Sequence, residues 1–198
     1  MPTGVHLRDA RNQLFDAAER ILRRDGPSAL TSRAVTTEAD CAKGVLHRHF
    51  ADFDAFLAEL VQTRVDRLEG RTAALRGAAG TGTVDGNVTD ALLNLFDPVA
   101  VGIVGLVIFR DDLRARLRQN GHGIPILTEA AAMIAAYLTD ECELGRIAAD
   151  ADTSALAPAL IGAGHLLFAD RKTPPPDASA VKTIVNTVLA DVLQRRLL

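Results

Sequence analysis

With 198 residues the chain suits one or two domains, each able to bury a core. Apolar residues make up 48% of it and aromatic residues only 4%, and this Ala- and Leu-rich composition favours helices over sheets. A formal net charge of −3 excludes a general polycation, so any affinity for nucleic acid has to come from a local basic surface. The composition therefore predicts an all-α protein.

The N-terminal sequence MPTGVHLRDARNQ lacks the apolar core of a secretion signal. The two cysteines, Cys41 and Cys142, lie far apart, which favours free thiols in a reducing compartment. The longest apolar run, PVAVGIVGLVIF, is far shorter than the ~20 residues that span a bilayer. We therefore expect a cytoplasmic protein with no membrane segment.

Apolar residues at helical spacing predict a first helix over 8–25, after a loose arm at 1–7. Asp52 is expected to cap a long helix over 53–76, and GAAGTGTVDG at 77–86 is expected to form a loop. Further helices are predicted at 87–96, 98–109, 111–119, 125–144 and 153–170, and after Asp177. The β-branched residues of 98–109 also suit a strand, but no partner strand is visible, so we predict a helix buried on every side.

The stretch from Thr31 to Phe50, TSRAVTTEADCAKGVLHRHF, predicts two short helices joined by a tight turn around Asp40. Thr31 or Ser32 can cap the first helix. The second helix is expected to start near Ala42 and to carry several cationic side chains. They are Lys43, His47, Arg48 and His49. A small cationic helix after such a turn is typical of a helix-turn-helix that reads the DNA major groove.

This stretch resembles the DNA-binding segment of the tetracycline-repressor (TetR) family of bacterial transcription regulators, over about a quarter of the chain. The matching positions are Ala39, Lys43, Gly44, Leu46, Arg48, His49, Phe50 and Leu57. Asp40 stands where the family has a turn glycine, Cys41 where it has a valine, and His47 where it has a tyrosine. Because Asp tolerates the left-handed backbone better than most residues, we expect the turn to survive.

The start of the second helix, Ala42 to Val45, is expected to approach base edges. Lys43 can reach a guanine edge or a phosphate, and Gly44 lets the backbone come close to the sugar-phosphate wall. Leu46 and Phe50 are expected to pack in the core. For the exposed positions, a solvated surface residue is the alternative interpretation.

Thr31, Ser32 and Thr36 are candidates for DNA contacts from the first helix. The resemblance implies that His47 and His49 face phosphates, as polar residues at the matching positions do in the family. Two histidines that lie two residues apart on a helix point about 200° apart, so they cannot converge on one metal ion. We therefore expect neither a metal site nor a cofactor.

The C-terminal helices predict a mostly apolar pocket for a small ligand. Its candidate lining residues are Phe96, Ile103, Val107, Phe109, Met133, Tyr137, His165 and Phe168. Tyr137 and His165 are the candidate polar groups, and Asn94 and His122 are weaker ones. The resemblance implies that this region binds a small effector, often apolar or aromatic.

The last two predicted helices each carry an apolar face that has to be covered. Pairing with the same helices of a second subunit would form a four-helix bundle, and the resemblance implies the same dimer. Burial of this face within one chain is the alternative.

These observations predict an N-terminal three-helix helix-turn-helix bundle, 1–53, and a larger helical ligand-binding and dimerisation domain, 54–198. The predicted function is a ligand-responsive DNA-binding regulator, acting as a homodimer on a pseudo-palindromic operator and, as is usual in the family, repressing. One alternative is a ligand- or protein-binding dimer that has lost DNA binding. Another is an enzyme on a helical scaffold, although no recognised catalytic motif is present.

Overall fold

The computed structural model describes residues 3–118, 124–169 and 175–195. Within these ranges every regular element is helical, which confirms the all-α prediction. The α-helices are α1 (Thr3–Arg24), α2 (Ser32–Glu38), α3 (Gly44–His49), α4 (Phe53–Gly77), α5 (Val84–Leu95), α6 (Pro98–Phe109), α7 (Asp111–Arg118), α8 (Pro125–Glu143), α9 (Thr153–Ala169) and α10 (Ala178–Arg195). A short 3-10 turn, Pro27–Ala29, follows α1.

Side-chain caps define where several helices begin. Asp52 accepts a hydrogen bond from the Ala55 N–H at 2.6 Å before α4, and Asp177 accepts one from the Ala180 N–H at 2.8 Å before α10. Both caps confirm the sequence prediction. Thr83 caps α5, so this helix begins at Val84 and not at Asn87 as predicted.

Two other predictions about the helices need correction. The first helix begins at Thr3, so 3–7 are helical and do not form a loose arm. Residues 98–109 are helical as predicted, but burial on every side is wrong at the end of α6, where Phe109 is 86% exposed. The predicted ends at 119 and 170 fall outside the described residues.

The chain divides into two compact units. The first unit comprises Met1–Arg64 and Pro98–Ile124, and the second comprises Val65–Asp97 and Pro125–Leu198. The first unit thus contains α6 and α7 as well as the predicted helix-turn-helix. The sequence-based division at residue 53 stays a prediction, since compactness alone does not define a functional domain.

In the first unit, α1 packs against α2 and α6, and α6 packs against α7. Two ion pairs join α7 and the residue before it to the start of α4: Arg110 with Asp54 at 2.7 Å and Arg116 with Asp52 at 2.8 Å. These contacts hold the N-terminal end of α4 in the same unit as α2 and α3.

In the second unit, α8 packs on α9, and α10 packs on α5 and α9. Successive turns of α10 are buried through Val181, Val185, Leu189 and Val192. Among the described residues, no single helix is both long and apolar enough to cross a bilayer; only the bent pair of α5 and α6 reaches that length and composition together.

Candidate functional site

Helix α2 is held at its start by Thr31. The Thr31 hydroxyl oxygen accepts a hydrogen bond from the Ala34 N–H at 3.1 Å, which identifies Thr31 as the N-cap. Thr31 is exposed. A hydroxyl that accepts one hydrogen bond still has its proton to donate, so Thr31 can cap α2 and contact a phosphate at once.

The turn after α2 depends on Asp40. Its φ of 49° is the only positive value at a non-glycine residue in the described part of the chain. The turn is closed by hydrogen bonds from the Asp40 N–H to the Thr37 carbonyl and from the Cys41 N–H to the Thr36 carbonyl, at 3.1 and 3.0 Å. Asp at this position therefore adopts the left-handed conformation that the family's glycine would provide. Burial raises the pKa of the Cys41 thiol, which keeps it in the neutral form.

Helix α3 presents one buried and one exposed side. Leu46 is fully buried and Phe50, just after the helix, is 3% exposed, which confirms both as core residues. The Phe50 ring lies between Phe15 and Phe56, with ring centroids 5.7 and 5.1 Å apart. The helix is therefore supported from below by an aromatic cluster of the first unit.

The opposite side of α3 and the residues before it face solvent. The exposed residues there are Ala42, Lys43, Gly44, His47 and Arg48. Val45 and His49 are half-buried, and the His49 carbonyl accepts a hydrogen bond from Arg11 at 3.1 Å. Lys43 occupies the N-cap position of α3, so its side chain lies at the N-terminal end of the helix, which is the end that would enter the DNA major groove.

Two predicted contact residues on α2 do not present their hydroxyls to the surface. Thr36 is 3% exposed, and its hydroxyl lies 3.1 Å from the carbonyls of Ser32 and Arg33, to which it donates. The Ser32 hydroxyl oxygen is buried, without a hydrogen-bond partner among the described residues. The hydroxyls of Thr36 and Ser32 therefore turn towards the protein, whereas DNA contacts of these two residues through their backbone stay a prediction.

Arg33 is a candidate that the sequence analysis missed. It is exposed in the first turn of α2, two residues after Thr31. The nearby Glu38 is held by Arg20 at 2.8 Å and Arg24 at 3.0 Å, and their hydrogen bonds lower the pKa of the Glu38 carboxyl. Within the described residues Arg33 and Lys43 form no ion pair, although the exposed acid Asp40 lies in the turn between them. A basic residue within the first turn of a capped helix is the signal that would have found Arg33.

The predicted ligand residues do not form one group. Phe96, Met133 and Tyr137 are buried in the second unit, where the Phe96 ring also lies 5.6 Å from Phe168 and 5.9 Å from His165. Burial lowers the pKa of His165. Ile103, Val107 and Phe109 belong to the first unit, and Phe109 is exposed. Phe109 therefore does not line an enclosed pocket.

The Tyr137 hydroxyl is part of the core. It donates to the buried Glu141 carboxylate at 2.6 Å and accepts from the Asn87 amide at 2.9 Å. Burial and the hydrogen bond to Glu141 raise the pKa of Tyr137. Because both partners are protein groups, the prediction that Tyr137 offers its hydroxyl to a ligand is not supported.

A cavity of about 310 Å³ does lie in the second unit, between α4, α5 and α8. Its lining residues are Arg71, Ala74, Leu75, Ala78, Asn87, Asp90, Ala91, Asn94 and Met133. Met133 is the only one of the eight predicted ligand residues among them, although Asn94 was a weaker candidate; His122 lies outside the described residues. Sequence periodicity could not identify most of the others because they lie at exposed or half-buried positions; Leu75 is the buried exception.

Residues 14–60 match the model of the bacterial regulatory proteins of the tetR family. No curated protein sequence matches the chain. The matched residues run from α1 into α4 and include α2, α3 and the turn between them.

Solved structures share the fold of nearly the whole chain. A TetR-family transcriptional regulator from Agrobacterium tumefaciens is 12% identical with a TM-score of 0.69, over 96% of this chain and 98% of that one. The regulator FadR from Bacillus subtilis, in complex with stearoyl-CoA, is 14% identical with a TM-score of 0.68, over 91% and 98%. The multidrug binding protein EbrR, complexed with imidazole, is 19% identical with a TM-score of 0.60, over 91% and 90%. The likeness shows a TetR-type regulator fold, with an N-terminal helix-turn-helix and a helical C-terminal part.

Proposed function

We propose that the protein is a ligand-responsive transcription regulator that binds a pseudo-palindromic operator as a homodimer and represses in its ligand-free state. The observation that carries this proposal is α3: a short helix whose Leu46 is fully buried while Lys43 and His47 beside it are exposed. A helix supported in this way enters a major groove without losing its own packing.

In the bound state, Lys43 contacts a guanine edge or a phosphate, and Gly44 allows close backbone approach. A Cβ added at Gly44 meets no atom within 4 Å, so the protein itself does not require glycine there. Thr31, Arg33 and His47 contact phosphates, with the half-buried His49 at the margin of the interface. Phosphate contacts set the position of the helix, and the base contact of Lys43 contributes sequence preference.

The homodimer forms through α9 and α10. Helix α9 keeps small and apolar residues on its exposed side, and Leu166 there is 77% exposed. Exposed apolar area of this kind indicates an interaction surface. A Leu166→Glu substitution is expected to shift the protein from dimer to monomer in light scattering coupled to size-exclusion chromatography, whereas Phe109→Glu, in the other unit, leaves the dimer intact.

The effector binds in the cavity between α4, α5 and α8. The names of two similar structures support a ligand site in this fold, since FadR holds stearoyl-CoA and EbrR holds imidazole. The effector releases DNA only if it binds the DNA-incompetent state more tightly than the competent one. Helix α4 contributes residues to both units and transmits the change.

A salt titration of DNA affinity tests the proposal. Fluorescence anisotropy with duplex DNA from upstream of the protein's own gene is expected to show tight binding at low salt. Lys43→Ala should weaken it and reduce the salt slope by about 1 if Lys43 contacts a phosphate. Arg118→Ala removes one positive charge from an exposed position on α7 and is the control, with an unchanged slope.

Absence of binding to this DNA at low salt, with dimeric protein, would contradict the proposal and favour the second candidate. That candidate is a helical ligand- or protein-binding dimer without DNA affinity. Asp40 and His47, which stand where the family has a glycine and a tyrosine, motivate this second candidate.

A further inference from the structure

We propose that the cavity between α4, α5 and α8 binds a small molecule with a single carboxylate, and that Arg71 recognises this carboxylate. The assignment names the class of effector for the regulator proposed above and rests on that function for its biological role. The binding chemistry itself depends only on the cavity.

The cavity has an apolar part and a charged part. Leu75, Ala91 and Met133 contribute apolar surface, whereas Arg71 and Asp90 bring charged side chains to the same space. A volume of about 310 Å³ is at the lower end of the range of roughly 300–1,000 Å³ found for ligand sites. Size and lining together indicate a small amphiphilic molecule and not a wholly apolar one.

Arg71 is positioned but not neutralised by the protein. One terminal nitrogen donates to the Asn94 carbonyl oxygen at 2.9 Å, which fixes the half-buried side chain at the cavity. No carboxylate forms an ion pair with Arg71 within the described ranges. Arg76 on the same helix is different, because its two nitrogens bind the two Asp140 oxygens at 2.7 and 2.8 Å.

A guanidinium held by a backbone carbonyl keeps its full charge and further N–H groups for another acceptor. Planar carboxylates match this group through two parallel hydrogen bonds, and such charge-assisted bonds are stronger than neutral ones. Arg71 can therefore bind a ligand carboxylate through two hydrogen bonds, as Arg76 binds the Asp140 carboxylate.

Asp90 limits the charge of that ligand. It lines the same cavity from α5, and the Asn94 amide donates to its backbone carbonyl at 2.8 Å and not to its carboxylate. Asp90 is exposed, and it repels a doubly negative ligand more strongly than a singly negative one, since like charges disfavour one another at short range. The positive charge of Arg71 and the negative charge of Asp90 together favour a monocarboxylate over a phosphate monoester, which carries close to two negative charges near neutral pH.

Isothermal titration calorimetry on the full-length protein tests this assignment. The probes are unbranched carboxylates from butanoate to octanoate, benzoate, and the matched compounds hexanamide, hexylamine and hexyl phosphate. At least one carboxylate is expected to bind, more tightly than its matched compounds. Arg71→Gln should weaken this binding by about tenfold or more, because a hydrogen bond to a charged group is lost.

Three further variants sharpen the result. Arg71→Lys keeps the charge without the planar fork and should weaken carboxylate binding severalfold, which tests the geometry if Arg71→Gln does not fold. Asp90→Asn should tighten carboxylate binding and raise the affinity for hexyl phosphate. Arg118→Gln removes an exposed arginine of the first unit and should change nothing.

The proposal is overturned if no carboxylate in the panel binds, if hexanamide or hexyl phosphate binds as tightly as hexanoate, or if Arg71→Gln keeps wild-type affinity. DNA affinity is measured separately with the carboxylate present. If the carboxylate binds through Arg71 but DNA affinity does not change, the site stands and the ligand-responsive function fails.

Discussion

The two units stabilise their central helices by different means. In the first unit, α3 rests on Leu46 and on the rings of Phe15, Phe50 and Phe56, and the Arg11 guanidinium lies 4.4 Å from the centroid of the Phe50 ring. In the second unit, the centre contains a fully buried carboxylate, Glu141, which accepts from the Tyr137 hydroxyl at 2.6 Å and lies 3.3 Å from the Arg146 guanidinium.

The kind of support differs because the two units hold different structures in place: α3 in the first unit, and the connection between α4 and α5 in the second. Apolar support has no polar partners to satisfy, so the cations of α3 stay available to solvent and DNA. The polar network instead fixes the connection between α4 and α5: the Gly80 N–H donates to Glu141 at 3.3 Å, and Arg146 donates to the Gly82 carbonyl at 2.6 Å. Since buried polar groups are costly unless satisfied, this network specifies one loop geometry next to the cavity.

The largest expected effect comes from removing the apolar support. Phe50→Ala should lower the free energy of unfolding by about 3–5 kcal/mol, because it deletes a buried ring from a close-packed cluster. Phe109→Ala, at a residue that is 86% exposed, is the matched control and should change stability little. Urea denaturation followed by circular dichroism measures both. Similar small losses in the two variants would contradict the aromatic support of α3.

Breaking the polar network should have the next largest effect. Arg146→Met leaves Glu141 buried without its cation and should cost about 3 kcal/mol of stability, measured in the same way. The double variant Arg146→Met with Glu141→Leu should recover part of this loss, because the uncompensated charge is removed with its partner. A double variant less stable than the single one would show that the hydrogen bonds of Glu141 to Tyr137 and Gly80 outweigh the cost of its unpaired charge.

The sequence predicted those features of the two regions that depend on residues close together in the chain. Thr31, Asp52 and Asp177 were identified as caps because a cap needs only the N–H groups two or three residues ahead. Leu46 and Phe50 were identified as core residues because they share one side of a short segment. The fold class and the DNA-binding segment were predictable for this reason.

The cavity and the polar network were not predictable because they join distant parts of the chain. Arg146 meets Glu141 and the loop before α5 only after α8 folds beside that loop. Likewise, nothing near Arg71 in the sequence indicates that Asp90 lines the same cavity. The hydroxyl of Thr36 was misassigned because its exposure depends on how α2 packs against α1.

A smaller effect is expected at the turn of the first unit. Asp40→Gly should stabilise the protein by about 0.5–1 kcal/mol, because glycine adopts a φ of 49° without the strain of a Cβ. This figure is a net value, since glycine also loses more backbone entropy on folding. Ala39→Gly, at a φ of −83°, is the matched control and should destabilise. Thermal denaturation measures both. A loss of stability in Asp40→Gly would mean that the Asp40 side chain itself holds the turn.

The smallest effect concerns pH and tests how much electrostatic support Asp52 gives to the first unit. The hydrogen bond from the Ala55 N–H, together with Arg116, lowers the pKa of Asp52 from its usual value of 3.8. A carboxyl group with a lower pKa in the folded state contributes stability above its unfolded pKa and loses it as the pH falls through the folded pKa. Asp52→Asn keeps an oxygen that can cap α4 but does not titrate, so its free energy of unfolding should decline less between about pH 5 and pH 2. Parallel acid denaturation curves for the two proteins would leave the aromatic cluster as the main support of this region and remove Asp52 from the account.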